Sequence, residues 1–304
     1  MKEKSLGVDI GSTSIKLIEL ARDKHRLICS ASAVFPVPPG WVNDGEVLEP
    51  GPLARLLREC LVQQRIKPTR VACAVSGSRL LIRKVELPPL PPAKLRSALN
   101  WELERYVPYK GTTAEYDLVP LEYLPNKTVA FLAAAPKVLI SSLIATLTAA
   151  GLSIDVLEPG PLALLRWASY SWPAFETESP CLVLDLGASS TQLLIAIDGK
   201  PKFARTIPMQ ETINRGDNDW EDHLVNEIRR SVDYFVAQRC DPGNEFHFAA
   251  CLCAGGLAQR ETLLAKLGEE LAVIPRNLTA AGLIPSSSDS LFGLSLGLAL
   301  GGLA

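Results

Sequence analysis

Imidazole is scarce in this sequence of 304 residues, which holds 3 His in all. His25, His223 and His247 stand far apart, so no His-based triad or metal centre follows from their spacing. The 7 Cys, at 29, 60, 73, 181, 240, 251 and 253, are odd in number and form no CxxC pair. Most sit in apolar runs such as Val71-Ala72-Cys73-Ala74-Val75, which reads as reduced core thiols. Cys251 and Cys253 share one face of a strand, but zinc takes four N or S ligands and no His cluster accompanies them. Excess charge is also missing: 31 Lys plus Arg against 33 Asp plus Glu leaves -2, which excludes the broad cationic field of a nucleic-acid binder. No long apolar run is present either. Val129 to Leu152 is interrupted by Pro136 and Lys137, and Leu291 to Ala304 falls short of the about 20 residues that a bilayer span needs. Met1 to Asp9 has no apolar signal-peptide core, so the expectation is a cytoplasmic chain without a direct membrane span.

What is present is ordinary globular material, 47% apolar and 21% charged, with length for about two domains. Val8, Ile10, Ile15, Leu17 and Leu20 alternate around the small residues Gly11-Ser12-Thr13, predicting a strand, a tight turn and a strand. Arg26 to Val34 predicts a third strand. Leu53, Leu56, Leu57, Cys60 and Leu61 keep helical spacing ahead of a buried strand at Arg70 to Val75, so the opening unit is α/β. Leu87-Pro88-Pro89-Leu90-Pro91-Pro92 then stops any regular element. A helix with Leu95, Leu99 and Leu103 on one stripe, strands at Glu115 to Tyr123 and Thr128 to Ala135, and a helix from Lys137 to Ala150 predict an inserted subdomain over 84–154. Helices at Glu221 to Gln238 and Gln259 to Leu271 flank a buried strand, Ala249 to Ala254.

The opening pattern returns. Leu184-Asp185-Leu186-Gly187-Ala188-Ser189-Ser190-Thr191 lies over Val8-Asp9-Ile10-Gly11-Ser12-Thr13-Ser14-Ile15, with Asp185 on Asp9 and Gly187 on Gly11. The fold class expected is therefore α/β with two duplicated lobes. Glycine lets backbone amides approach an anion closely, and small hydroxyl residues add donors without bulk. Two such turns facing one another would clasp a polyphosphate, and their Asp carboxylates need a bridging cation, most simply hydrated Mg²⁺. A single Asp-x-Gly turn reads equally as a plain hairpin. Lys16 reads either as a phosphate ligand or as a solvated strand residue, and the matching Gln192 offers only an amide.

Asp9 to Lys16 and Asp185 to Thr191 resemble the two phosphate motifs of the actin-like ATPase superfamily. Cys253-Ala254-Gly255-Gly256-Leu257-Ala258 is similar to its adenosine motif, Glu158-Pro159-Gly160-Pro161 to its first connecting segment, and Gly293 to Gly301 to its second connecting helix. Within the superfamily, Ser76-Gly77-Ser78, Val85-Glu86-Leu87-Pro88, Ala98 to Pro108 and Glu227 to Phe235 resemble the PilM family of type IV pilus assembly, relatives of the division protein FtsA.

That resemblance implies an actin-like ATPase fold. Residues 1–83 and 155–178 make the first lobe, 84–154 an FtsA-like inserted subdomain, 179–208 and 246–304 the second lobe, and 209–245 a shortened second subdomain. It implies ATP and Mg as ligands. Gly11, Ser12, Thr13, Lys16, Gly187, Ala188 and Ser189 would lie at the phosphates, with Gly255, Gly256 and Leu257 at the adenosine. Asp9 and Asp185 would hold Mg through water, and Glu158 and Asp185 would be catalytic in any hydrolysis. Glu227 and Arg230 would flank adenine and ribose, or form a surface ion pair; Glu158 reads equally as a helix-start residue. The implied partner is the N-terminal cytoplasmic peptide of a PilN-like membrane protein, received between the inserted subdomain and the first lobe. Other pilus platform or motor proteins and a homo-oligomer belong to the same expectation, as does a place at the inner face of the cytoplasmic membrane held through the partner. Residues 79 to 110 carry seven Lys or Arg against three Glu, a face for a peptide or anionic lipid or simply a solvated one. Trp101, Tyr106 and Tyr109 read as core or boundary aromatics more readily than as a peptide slot. The tail from Leu291 has no Lys or Arg, unlike FtsA's basic membrane helix. The competing functions are a small-molecule kinase of the same superfamily and an FtsA-like filament protein.

Overall fold

The computed structural model describes residues 3–24, 26–68, 70–175, 177, 179–209, 219–238, 246–279, 282–284 and 289–303. The chain opens with an antiparallel meander of β1 (Glu3–Ile10), β2 (Ser14–Asp23) and β3 (Arg26–Pro36). A small hairpin, β4 (Val42–Asn43) and β5 (Glu46–Val47), leads into α1 (Pro50–Gln63), which crosses over to β6 (Arg70–Val75), parallel to β1. Next come β7 (Leu81–Leu87), α2 (Pro92–Tyr106), β8 (Ala114–Leu124) and β9 (Lys127–Pro136), whose strands form a separate sheet in the order β7-β9-β8. Helix α3 (Lys137–Ala149) returns the chain to β10 (Val156–Pro159), completing the first sheet in the order β10-β6-β1-β2-β3.

After α4 (Gly160–Ser171), the meander repeats as β11 (Cys181–Leu186), β12 (Ser190–Ile197) and β13 (Lys200–Pro208). Helix α5 (Trp220–Ala237), β14 (Ala250–Ala254), a 3-10 turn at Gly256–Gln259, α6 (Glu261–Leu271) and β15 (Pro275–Asn277) follow, then a second 3-10 turn and α7 (Gly293–Gly301). The second sheet runs β13-β12-β11-β14-β15, the same topology as the first. The likeness extends to single residues. Asp9 pairs with Lys16 across its hairpin and Asp185 with Gln192 across the other, and both second strands break register at the same step, after Glu19 and after Ile195.

Period-two alternation decides which way each carboxylate faces. Leu6, Val8 and Ile10 join Leu53 of α1 and Leu143 of α3 in the outer core of the first lobe, so Gly7 and Asp9 take the opposite face. Leu182, Leu184 and Leu186 likewise pack with Ile228 of α5 and Leu267 of α6, which turns Val183 and Asp185 the other way. Between the sheets lies a third core, built from Ile18, Ala74, Val183 and Leu194 around Trp167 of α4 and Leu296 and Leu298 of α7. Both Asp residues therefore end central strands on the faces that the lobes present to one another.

Two features differ from the sequence reading. Helix α3 takes the crossover place in the first half that α6 takes in the second, burying Leu143 and Leu147 in the first lobe's core; the added elements are thus β7 through β9. Trp101 is neither core nor boundary: Leu95, Leu99 and Leu103 take the buried stripe of α2, and Trp101, 89% exposed, falls outside it. Tyr106 and Tyr109 do sit at boundaries, their hydroxyls donating to the Glu86 and Arg79 carbonyls. Of the segment 209–245, residues 210–218 and 239–245 lie outside the described residues, as does Cys240. Among the described residues no helix is long and apolar enough to cross a membrane; Val129 to Leu152 is divided between β9 and α3.

Candidate functional site between the lobes

The two Asp-x-Gly turns meet at one cavity of about 180 Å³. Asp9, Gly11, Ser12, Thr13 and Lys16 line it from the first lobe. Asp185, Gly187, Ala188 and Ser189 line it from the second, with Gly255, Gly256 and Leu257 closing a third side. Each hairpin tip is held by matching bonds. The Gly11 amide donates to the Ser14 carbonyl and the Gly187 amide to that of Ser190, while the Thr13 and Ser189 carbonyls accept from Val37 and Met209 just beyond the third strands. Gly255 has φ +92, and a Cβ there would lie 2.5 Å from Asp185 Oδ1, so only glycine lets this turn close against the carboxylate.

Charge within the cavity is unbalanced. Lys16 Nζ donates to Asp9 Oδ2 at 2.8 Å, which makes the first carboxylate a partnered one. Burial alone would depress the Lys16 pKa, but the Asp9 and Asp185 charges outweigh it and raise it. Asp185 is pushed up to about 6 by burial and by the Asp9 charge, with Lys16 working the other way. Two carboxylates against one ammonium leave a net negative site, which a divalent cation would balance.

Gln192 links the lobes. Its Nε2 donates to Ser76 Oγ at 3.2 Å and to Asp185 Oδ2 at 3.4 Å, while its buried Oε1 is turned to Gly160 at the start of α4. Two carboxylates with a single ammonium, beside glycine-lined turns, fit a hydrated cation on a polyphosphate. Asp9 and Asp185 would hold it, through water.

Because the folded Asp185 pKa lies above its ordinary value of 3.8, this group favours the folded state at low pH. Its contribution is complete below about 4 and is lost as pH rises through about 6. In EDTA, the thermal midpoint of the wild type minus that of Asp185→Asn should turn more negative from pH 5 to 7.5. A flat difference would show that Asp185 does not titrate in this range.

Three expected residues are not brought to the cavity. Glu158 is clasped by Arg166, Nη1 to Oε1 at 2.6 Å and Nη2 to Oε2 at 2.8 Å, and Arg166 also donates to the Gly297 carbonyl, so the carboxylate braces α4 against α7. Glu227 and Arg230 pair with each other at 2.6 Å on α5, outside the cavity lining. Conversely, the cavity is lined by Gly45, Ser76 and Gly77, which the phosphate and adenosine motifs had not placed there, and Gln192, the counterpart of Lys16, lines it as well. Gly45 and Gly77 stand back to back with φ +80 and +104, each with no room for a Cβ against the other loop's carbonyl. Asp44 clamps the pair by accepting from the Ser78 amide at 2.7 Å. Ser76-Gly77-Ser78 was the available signal.

Comparison with known proteins adds three findings. A solved structure described as a PilM-PilN type IV pilus biogenesis complex is 26% identical, covers 99% of this chain and 98% of its own, and superposes with a TM-score of 0.86. The ethanolamine utilization protein EutJ from Carboxydothermus hydrogenoformans is 14% identical, with coverage of 98% and 89% and a TM-score of 0.52. An actin-like ATPase-fold protein of unknown function from Bacteroides thetaiotaomicron is 10% identical, with 90% coverage of each chain and a TM-score of 0.53. The last two support the actin-like fold alone, with its duplicated α/β lobes. The sequence model of the type IV pilus assembly protein PilM matches residues 7–209, about two thirds of the chain. With its paired sheets, its inserted β7 to β9 and this match, the chain belongs to the PilM family of type IV pilus assembly proteins.

Proposed function

We propose that this protein is an ATP-binding adaptor of type IV pilus assembly that grips the N-terminal peptide of a PilN-like membrane protein. That partner would hold it at the inner face of the cytoplasmic membrane. Bound Mg²⁺ would offset the triphosphate charge. The chain's own part is to clasp the phosphates between residues 11–13 and 187–189, to orient water on Asp9 and Asp185, and to bridge the lobes through Gln192. Asp9 and Asp185 are the acids that line the cavity, and Glu158 is engaged by Arg166, which favours binding over hydrolysis. A kinase would need a further base at an acceptor subsite, and among the described residues none in the lining supplies one.

One observation carries the adaptor reading. A slot of about 440 Å³ opens between the inserted sheet and the first lobe, floored by Leu80, Ala133, Ala135, Ile140 and Leu157. Val75, at the end of β6, lines this slot, while the next two residues, Ser76 and Gly77, line the inter-lobe cavity. The slot's volume and apolar floor suit a short hydrophobic peptide, and the shared strand end gives nucleotide a direct route to it. The related complex with PilN agrees with this partner.

Isothermal titration with the N-terminal cytoplasmic peptide of the PilN-like protein tests the reading. Binding should tighten about 5- to 100-fold in Mg²⁺-ATP, the usual span of coupling between sites. Ile144→Glu, a charge set at the exposed rim of the slot, should abolish peptide binding and leave ATP binding intact. Peptide affinity that ignores both nucleotide and Ile144→Glu would refute the adaptor reading.

A further inference from the structure

The inserted sheet is held from two sides. Toward the first lobe, the connection from β6 to β7 is pinned. Asp44 accepts from the amide and the hydroxyl of Ser78, Arg79 donates to Glu46, and the Leu80 amide donates to the Gly77 carbonyl. Toward the second lobe, β7 runs beside β13 with Cα atoms within 8 Å, yet the two strands belong to separate sheets. Among the described residues no backbone hydrogen bond joins them, so their seam is made by side chains. A seam of that kind tilts or slides as the bodies on either side move, whereas a hydrogen-bonded ladder keeps its register.

Ile82 sits where the two sides meet. It pairs with Ala133 of β9 and shares that residue's face of the sheet, the face that floors the peptide slot. Half-buried, it packs against the core between the sheets, which takes in Ala204 of β13 and Trp167 of α4. It also packs against the small cluster of Val75, Leu80, Ala135 and Leu139, and the first three of these line the slot. Among the described residues, Ile82 alone is shared by these two clusters. Ile82 lies outside the slot lining, so a bound peptide would rest on its neighbours and not on it.

We infer that Ile82 is a positioning residue for the partner slot, relaying the angle between the lobes into the width of the slot. Closure of the lobes on nucleotide moves β13 against Ile82, and a close-packed side chain passes the displacement on instead of absorbing it. Strand β7 then tilts about its pinned start and carries Ala133 and Ala135 relative to Ile140 and Leu157 across the slot. This role rests on the adaptor reading and adds to it a route from the second lobe, distinct from the strand end at Val75 and Ser76. Nucleotide gains leverage over the peptide only through an element that both sites bias, and the inserted sheet is that element.

The test is the ratio of the peptide Kd without nucleotide to the Kd with Mg²⁺ and a non-hydrolysable ATP analogue, measured by isothermal titration with the PilN-type peptide. The wild-type ratio should be about 5 to 100. Ile82→Ala should bring it within about twofold of 1, with nucleotide affinity in the absence of peptide held within about threefold of the wild type. Ile82→Val keeps most of the side chain and should restore at least about half of the wild-type ratio. Ile82→Thr takes the place of Ile82→Ala if the latter does not fold. Leu118→Ala, a comparable loss of packing on the α2 side of the same sheet, should leave the ratio unchanged. A merely structural Ile82 would weaken peptide binding equally with and without nucleotide. That result, or a ratio lowered as much by Leu118→Ala, would overturn the role of Ile82 and leave the adaptor reading standing. A wild type that binds no peptide, or whose ratio is 1, would bring down both.

Discussion

Asp185→Asn should raise the thermal midpoint of the free protein at pH 8 and lower its affinity for Mg²⁺-ATP about 10- to 100-fold, the usual toll for losing a group that positions a metal's waters. The opposite signs follow from one environment. In the free protein the Asp185 carboxylate is buried beside the Asp9 charge, and its pKa of about 6 measures how poorly its ionised form is accommodated. Asn keeps the shape and the partner Gln192 while removing the charge, which should stabilise the fold by about 1–2 kcal/mol. A bound cation reverses the balance, because the carboxylate then has the counter-charge it lacks. Thermal melts and titrations on the same two proteins check both halves. A variant that loses stability and keeps nucleotide would mean that Asp185 is a structural acid.

Gly297→Val should be the most damaging single change to the fold, about 3 kcal/mol and about 6–12 °C in thermal midpoint. Helices α4 and α7 cross at this glycine, and a Cβ there would lie 1.9 Å from the Ala163 carbonyl oxygen, a backbone atom that cannot swing aside. The same helix α7 rests on β1 at Gly7, where a Cβ would lie 2.0 Å from the Ser295 carbonyl oxygen. Forcing α4 and α7 apart opens the core between the sheets, where Trp167 is buried, and separates the hairpins that the helices hold in register. Gly51→Ala is the matched control. It lies in the first turn of α1 just before Pro52, where an added Cβ would meet nothing beyond its chain neighbours. Without an interior helix position to favour alanine, the change should stay within about 0.5 kcal/mol. Equal melts for Gly297→Val and the wild type would show that the crossing is loose.

Much of this architecture was legible because it rests on local pattern. Alternation in β1 and β11 fixes which side chains enter the outer cores, so the duplicated Asp and Gly positions imply two carboxylates aimed at a common gap. Helix α2 shows where a residue-type argument gave way to periodicity: its stripe of Leu95, Leu99 and Leu103 leaves Trp101 outside, whatever the usual habit of tryptophan. Other features depend on chain segments that meet only in the fold. The clamp between Asp44 and Ser78 and the Gln192 bridge to Ser76 join residues with no shared local pattern. Glu158 in its connecting segment looked free for chemistry, yet Arg166, two turns into the next helix, takes both its oxygens. The matching register breaks after Glu19 and Ile195 were invisible for a similar reason, since a bulge is a relation between two strands.

The most direct test of the central claim is a crystal structure with Mg²⁺ and a non-hydrolysable ATP analogue. The β- and γ-phosphates should lie within hydrogen-bond reach of the backbone amides at Ser12, Thr13, Ala188 and Ser189, with metal-bound water on Asp9 and Asp185. A nucleotide found away from both hairpins, or no nucleotide at millimolar concentration, would contradict the account.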